Sequence, residues 1–163
     1  MEPARQNISQ LIVNDDVTQT KFNQFAKELQ DLGASEKEIK EIAMGVAKTA
    51  SNQTTAKISL LMDDSDWSKW KAFVDSTPTP NVAQQLIIMN KFLEDRTGKS
   101  LETLHLEILD SLLKDTLDQI QKRRDMAIKV SKLSDEQIDT VNEALDNEEF
   151  DKADDILNST STN

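Results

Sequence analysis

The chain carries one order of apolar, polar and capping residues twice, about 71 positions apart. A repeat constrains architecture before any local motif does. The first copy runs through Ile42, Val46, the polar run 51–55, Met62, Asp64, Trp67, Trp70, Asp75 and Leu86. The second runs through Leu113, Leu117, the polar stretch 121–125, Leu133, Asp135, Ile138, Val141, Asp146 and Leu157. Identities are few: Ala56/Ala127, Asp64/Asp135, Asp75/Asp146 and Leu86/Leu157. What repeats is the order of events, namely apolar helix, polar interruption, acidic cap, short helix, acidic break and short helix. The spans of about 36–87 and 107–158 are therefore read as a degenerate internal repeat. Trp67, Trp70 and Phe73 stand opposite Ile138, Val141 and Ala144, so the first copy is expected to form the centre and the second a lighter, more acidic layer.

Apolar residues recur every three to four positions, and nothing sustains the period-two alternation of a strand. With three Gly, three Pro and no Tyr, the chain reads as all-α, a bundle or short array of about six to seven helices. Three capping boxes are legible: Asp16 with Gln19, Ser35 with Glu38, and Ser134 with Gln137. Gly33 and Gly98 follow helical patterns as stops. Gly45, among Ala43, Ala47 and Ala50, reads as a slim face for close helix approach. Residues 51–55 are poor helix material, so the helix there either breaks or is supported from outside. Thr77-Pro78-Thr79-Pro80 is expected to be extended, with Asn81 capping the next helix. That helix, Val82 to about Arg96, is apolar around more than half its circumference (Leu86, Ile87, Ile88, Met89, Phe92) and is expected to be central. Ser100 opens the longest pattern, to about Lys132, which spans roughly 50 Å if unbroken. Residues 121–125 contain no apolar side chain, so this part should cross solvent or bend. The domain reading is an N-terminal arm or short helix over 1–15, a single helical domain over 16–157, and a disordered polar tail over 158–163.

The chain has no Cys, which removes disulfides, thiolate nucleophiles and Cys-based metal sites. It has no secretory leader pattern at its start, and no apolar run approaches the ~20 residues that span a bilayer. A soluble, cytoplasmic protein with no membrane contact is expected. The net charge of −11 disfavours direct binding to nucleic-acid phosphates or anionic membranes and is compatible with a basic protein partner.

Few residues carry chemistry. The sole histidine, His105, follows Glu102 by three positions, half of the Glu-x-x-His arrangement of carboxylate-bridged metal bundles, which need two such motifs and further glutamates. A hydrolytic triad would have only His105 as base, and Gly33, Gly45 and Gly98 are isolated, so no phosphate loop exists. Asp63, Asp64 and Asp66 lack the glycine of a calcium loop and read as helix caps. No cofactor is expected. Trp67 and Trp70 share a helical face and read as core residues or as partner contacts. Lys122, Arg123 and Arg124 form the clearest basic cluster, opposite in sign to the acidic stretch 146–155; self-association between the two is one expectation. The functional expectation is a noncatalytic protein acting through protein–protein contact as adaptor, scaffold or assembly subunit, with Trp67, Trp70, Lys122, Arg123 and Arg124 as candidate contacts. Its partner would be another protein of basic character, or a second copy in a homo-oligomer. The alternatives are an acidic nucleic-acid mimic that inhibits a basic-cleft protein, and a metal-binding bundle using Glu102 and His105.

Overall fold

Two of the capping boxes set helix starts as the sequence indicates. The Ser35 Oγ accepts from the Glu38 N–H (3.4 Å), and the Glu38 carboxylate accepts from the Ser35 N–H (2.8 Å). Ser134 and Gln137 repeat the exchange at 3.3 and 3.0 Å. The Ser35 hydroxyl, and then its N–H, hold the Glu38 carboxyl below the usual carboxylate range. This cap is therefore intact above the ordinary Glu range and weakens as pH falls through the depressed value.

The computed structural model describes residues 16–76 and 82–159. It contains α1 (Asp16–Asp31), α2 (Glu36–Leu61), α3 (Asp64–Ser76), α4 (Val82–Thr97), α5 (Leu101–Ser131), α6 (Asp135–Asp146) and α7 (Phe150–Ser159). Seven helices and no strand among the described residues make this the all-α array that the periodicity predicts. The expectations for residues 1–15, for 77–81 and for 160–163 lie outside the described residues. Residues 16–157, drawn from sequence as one domain, cluster into two compact units divided between Asp115 and Thr116.

In the first unit α1 packs against α2 and is tied to α5 by Lys21 and Asp110 at 2.7 Å. Phe25 and Leu29 of α1 are buried, as are Leu109 and Leu113 of α5. A second cluster joins Ile58, Met62, Trp70, Met89, Leu93, Leu101 and Leu104. Asp63 and Asp66 exchange the hydrogen bonds of a capping box at the start of α3 (Asp66 N–H to Asp63 Oδ1 2.9 Å, Asp63 N–H to Asp66 Oδ2 3.2 Å). Arg96 fastens α4 to this corner: it donates to Asp66 at 2.8 Å and lies over the Phe92 ring at 5.3 Å.

The polar run 51–55 does not break α2. Thr54 is fully buried, donates to the Ala50 carbonyl at 2.8 Å and faces His105 Nδ1 at 3.0 Å. Because the Thr54 proton goes to Ala50, its free lone pair accepts from His105, which assigns the proton to Nδ1. The support from outside that a poor helix former needs is thus a side chain of α5.

Four expectations are corrected. Asp16, expected as the cap before the helix, is itself the first residue of α1, and the Gln19 amide donates to Asn23 Oδ1 at 3.0 Å. A Cβ on Gly45 would meet nothing within 4 Å, so no helix approaches it closely. Without a packing reason, Gly45 only adds backbone freedom to the unfolded chain; Gly45→Ala is expected to stabilise by about 0.5–1 kcal/mol, read as a higher urea midpoint at unchanged slope. On α4, Met89 and Leu93 are buried but Ile87 is 67% and Ile88 40% exposed, so one stripe is covered rather than the whole circumference. Finally, α7 continues through Asn158 and Ser159, and Asn158 accepts from Lys129 at 2.7 Å.

The second unit comprises α5 from Thr116 onward, α6 and α7. α6 packs against α7 through Val141, Ala144, Ala153 and Leu157, with Leu133 and Ile156 at the margin. The turn between them is a Schellman motif: Glu149 N–H donates to the Ala144 carbonyl at 2.8 Å, and Glu148 N–H to Leu145 at 3.1 Å. The same motif ends α1 with Gly33 at φ 83, but here Glu148 occupies the left-handed position at φ 59. Glu148→Gly should therefore raise stability by about 1 kcal/mol, measured as an upward shift in the melting temperature.

Candidate interaction surface

The helix boundaries repeat where the sequence does. α2 ends at Leu61 and α5 at Ser131, α3 begins at Asp64 and α6 at Asp135, and α3 ends at Ser76 and α6 at Asp146. Met62, Trp67, Trp70 and Leu86 of the first copy correspond to Leu133, Ile138, Val141 and Leu157 of the second. In the first, Met89, Leu93, Leu101 and Leu104 lie over the cluster, each 2% exposed or less.

In the second unit an apolar groove of ≈ 370 Å³ lies between α5, α6 and α7, lined by Met126, Val130, Leu133, Ile138, Val141, Asn142, Leu145, Phe150, Ala153, Asp154 and Leu157. Its rim is wet: Phe150 is 61%, Leu145 46% and Met126 44% exposed. Isolated exposed apolar residues are ordinary; here several converge on one concavity.

Asp154 is the one charged side chain that lines the groove. Lys122 and Arg123 lie one turn before Met126 on the same face of α5, and Lys129 lies beside Val130. Around their surfaces α6 and α7 carry Asp135, Glu136, Asp139, Glu143, Asp146, Asp151, Asp154 and Asp155, with Lys152 as the lysine of these helices. Lys152 is already engaged by Glu149 at 3.0 Å, and this hydrogen bond and charge hold its ammonium above the usual lysine range.

The residues singled out from sequence separate. Trp70 is buried in the first unit's cluster, and Trp67 is half-buried against it. Lys122, Arg123 and Arg124 are all exposed on α5. Glu102 is exposed while His105 is buried beside Thr54, so the two halves of Glu-x-x-His sit in different surroundings. Among the described residues no three His, Asp or Glu side chains form a metal-holding group. No described helix is long and apolar enough to cross a membrane. A smaller cleft of ≈ 280 Å³ lies in the first unit between α3 and α4, floored by Met62, Trp70, Met89 and Phe92 and edged by Lys69 and Lys91.

Sequence reasoning missed Leu145 and Phe150 as surface residues. Leu145 reads as the end of an amphipathic stripe, and Phe150 as the opening of the last helix. Compared with known protein families, curated proteins and solved structures, the chain matches none.

Proposed function

We propose that this is a noncatalytic interaction protein, an adaptor or assembly subunit, whose recognition element is the groove between α5, α6 and α7. The observation that carries the reading is the open apolar face of the second unit, where Met126, Leu145 and Phe150 stand exposed around the groove. What covers that face is another aliphatic helix surface, presented by another molecule. Helix-in-groove recognition uses side chains spaced at i, i+3, i+4 and i+7 and draws its affinity from apolar anchors. Leu145 and Phe150 are already partly covered, so burying the rest of each is worth about 0.7–1.8 kcal/mol, before the cost of association.

The test separates binding from folding. Leu145→Ser with Phe150→Ser removes the two most prominent rim anchors, and at their present exposure the replacement should leave the urea midpoint nearly unchanged. Affinity capture from the native cell with wild type and with this double variant, read by quantitative mass spectrometry, should lose the specific partners of the wild type. If the folded variant retains all of them, the groove is not the recognition element. Retention by the groove variant, with loss on reversing Asp151, Asp154 and Asp155, would favour instead the acidic mimic of nucleic acid.

A further inference from the structure

We infer that the occupant of the groove is an amphipathic basic helix of another protein, which lays an apolar stripe along the groove and sets a lysine or arginine against Asp154. The inference rests on the groove reading above and adds the chemistry of the partner. Nine of the eleven lining side chains are apolar; the other two are Asn142 on α6 and Asp154 on α7. Among the described residues neither of these two side chains has a hydrogen-bond or ion-pair partner. Lys152, two positions from Asp154, is held by Glu149 at 3.0 Å, and Lys129 donates to Asn158 at 2.7 Å. An uncharged helix seated here strips water from the Asp154 carboxylate and gives nothing in return, which is costly. A helix that brings a cation replaces that water with a charge-assisted hydrogen bond, and the apolar lining supplies the rest of the contact.

The surroundings favour the same sign. From Asp135 to Asp155, α6, α7 and the turn between them carry ten carboxylates and one lysine. Such a field draws in cations and turns away anions within about 8 Å at physiological ionic strength. Lys122 and Arg123 do not cancel it at the groove. On their side the lining runs from Met126 to Leu133, so both stand past one end of it, about 4.5–6 Å before Met126 along the helix axis. The partner helix therefore carries its basic residues on the α7 side of its apolar stripe and away from that end.

The experiment titrates the full chain into a fluorescently labelled peptide and reads anisotropy. The probes are an amphipathic helical peptide of leucine and lysine, with its leucines on one face, and the same peptide with every lysine replaced by glutamate. Wild type is expected to bind the lysine peptide and not the glutamate peptide. Asp154→Asn should weaken the lysine peptide by about ten-fold. Asp155→Asn removes the same charge from the same helix outside the lining and should weaken it by less than about two-fold. A wild type that binds neither peptide, or binds the two alike, overturns the inference. So does an equal loss from Asp154→Asn and Asp155→Asn, which would leave only the general field. Sedimentation velocity of wild type alone tests the other occupant: a dimer that Leu145→Ser with Phe150→Ser dissociates makes a second copy the occupant and overturns the inference. The same double variant tells this failure apart from failure of the groove reading. If both peptides bind alike and both need Leu145 and Phe150, the basic partner is overturned and the groove reading stands. If the lysine peptide binds the double variant as it binds wild type, pairing through the groove is overturned, and if partner capture is also undiminished, the groove reading fails with it.

Discussion

Leu93→Ala is expected to lower folding stability by about 2–5 kcal/mol, while Ile87→Ala on the same helix changes it by less than about 0.5 kcal/mol. Both residues belong to α4 and both look like core residues in sequence. Leu93 is fully buried among Met89, Leu101 and Leu104, whereas Ile87 is 67% exposed. Truncating Leu93 removes transfer free energy and leaves a cavity that Arg96, bound to Asp66 and laid over Phe92, keeps α3 and α4 from closing. Urea unfolding of the two variants, compared at equal slope, checks the difference. Near-equal costs would mean that the covered stripe of α4 has been misplaced.

The second large effect concerns Trp70. Its ring is buried at 4% exposure and stands 6.0 Å from Phe73, yet its indole N–H has no hydrogen-bond acceptor among the described residues. A buried donor left without an acceptor costs about 1–3 kcal/mol. Trp70→Ala should cost about 3–5 kcal/mol through the cavity it leaves. Trp70→Phe gives up part of the ring but also removes the unsatisfied donor, so its cost should stay below about 1.5 kcal/mol. Equal losses for the two variants would show that the N–H contributes to stability after all. Either variant is read by urea unfolding followed through helical circular dichroism, since the remaining Trp67 alone is a poor comparison with wild-type fluorescence.

Much of the architecture was legible because it is local. Ser35 with Glu38 and Ser134 with Gln137 fix two helix starts through side chains three residues apart, and Gly33 and Gly98 mark ends through a backbone angle that glycine adopts freely. Where the outcome depends on distant residues, sequence spacing carried less. The run 51–55 has low helical propensity and is helical because Thr54 is buried and paired with His105, which lies on another helix. The chemistry of His105 was likewise unreadable: spacing set it beside Glu102, but burial set it beside Thr54. Ile87 and Ile88 show the same limit, since a helix that is apolar on several sides does not reveal which side its neighbours cover.

The candidate surface was half legible. Lys122, Arg123 and Arg124, in an apolar-free stretch of α5, read correctly as exposed, and the acidic run that follows is plain in the sequence. Trp70 was readable either as core or as contact, because an aromatic stripe at helical spacing has the same pattern in both settings. The groove itself emerged only from comparing the two copies in space. Ile58 of the first is fully buried, while Lys129 at the matching place is half-buried and bonded to Asn158. The repeat preserves the order of helices while single positions change from apolar to charged.

The most direct measurement is hydrogen exchange of the full chain, free and then bound to a captured partner, resolved by peptide. The account predicts slower exchange across residues 122–157, strongest at the rim around Met126, Leu145 and Phe150, with α1 to α4 unchanged. Protection that appears on α1 to α4 while α6 and α7 exchange as before would contradict it.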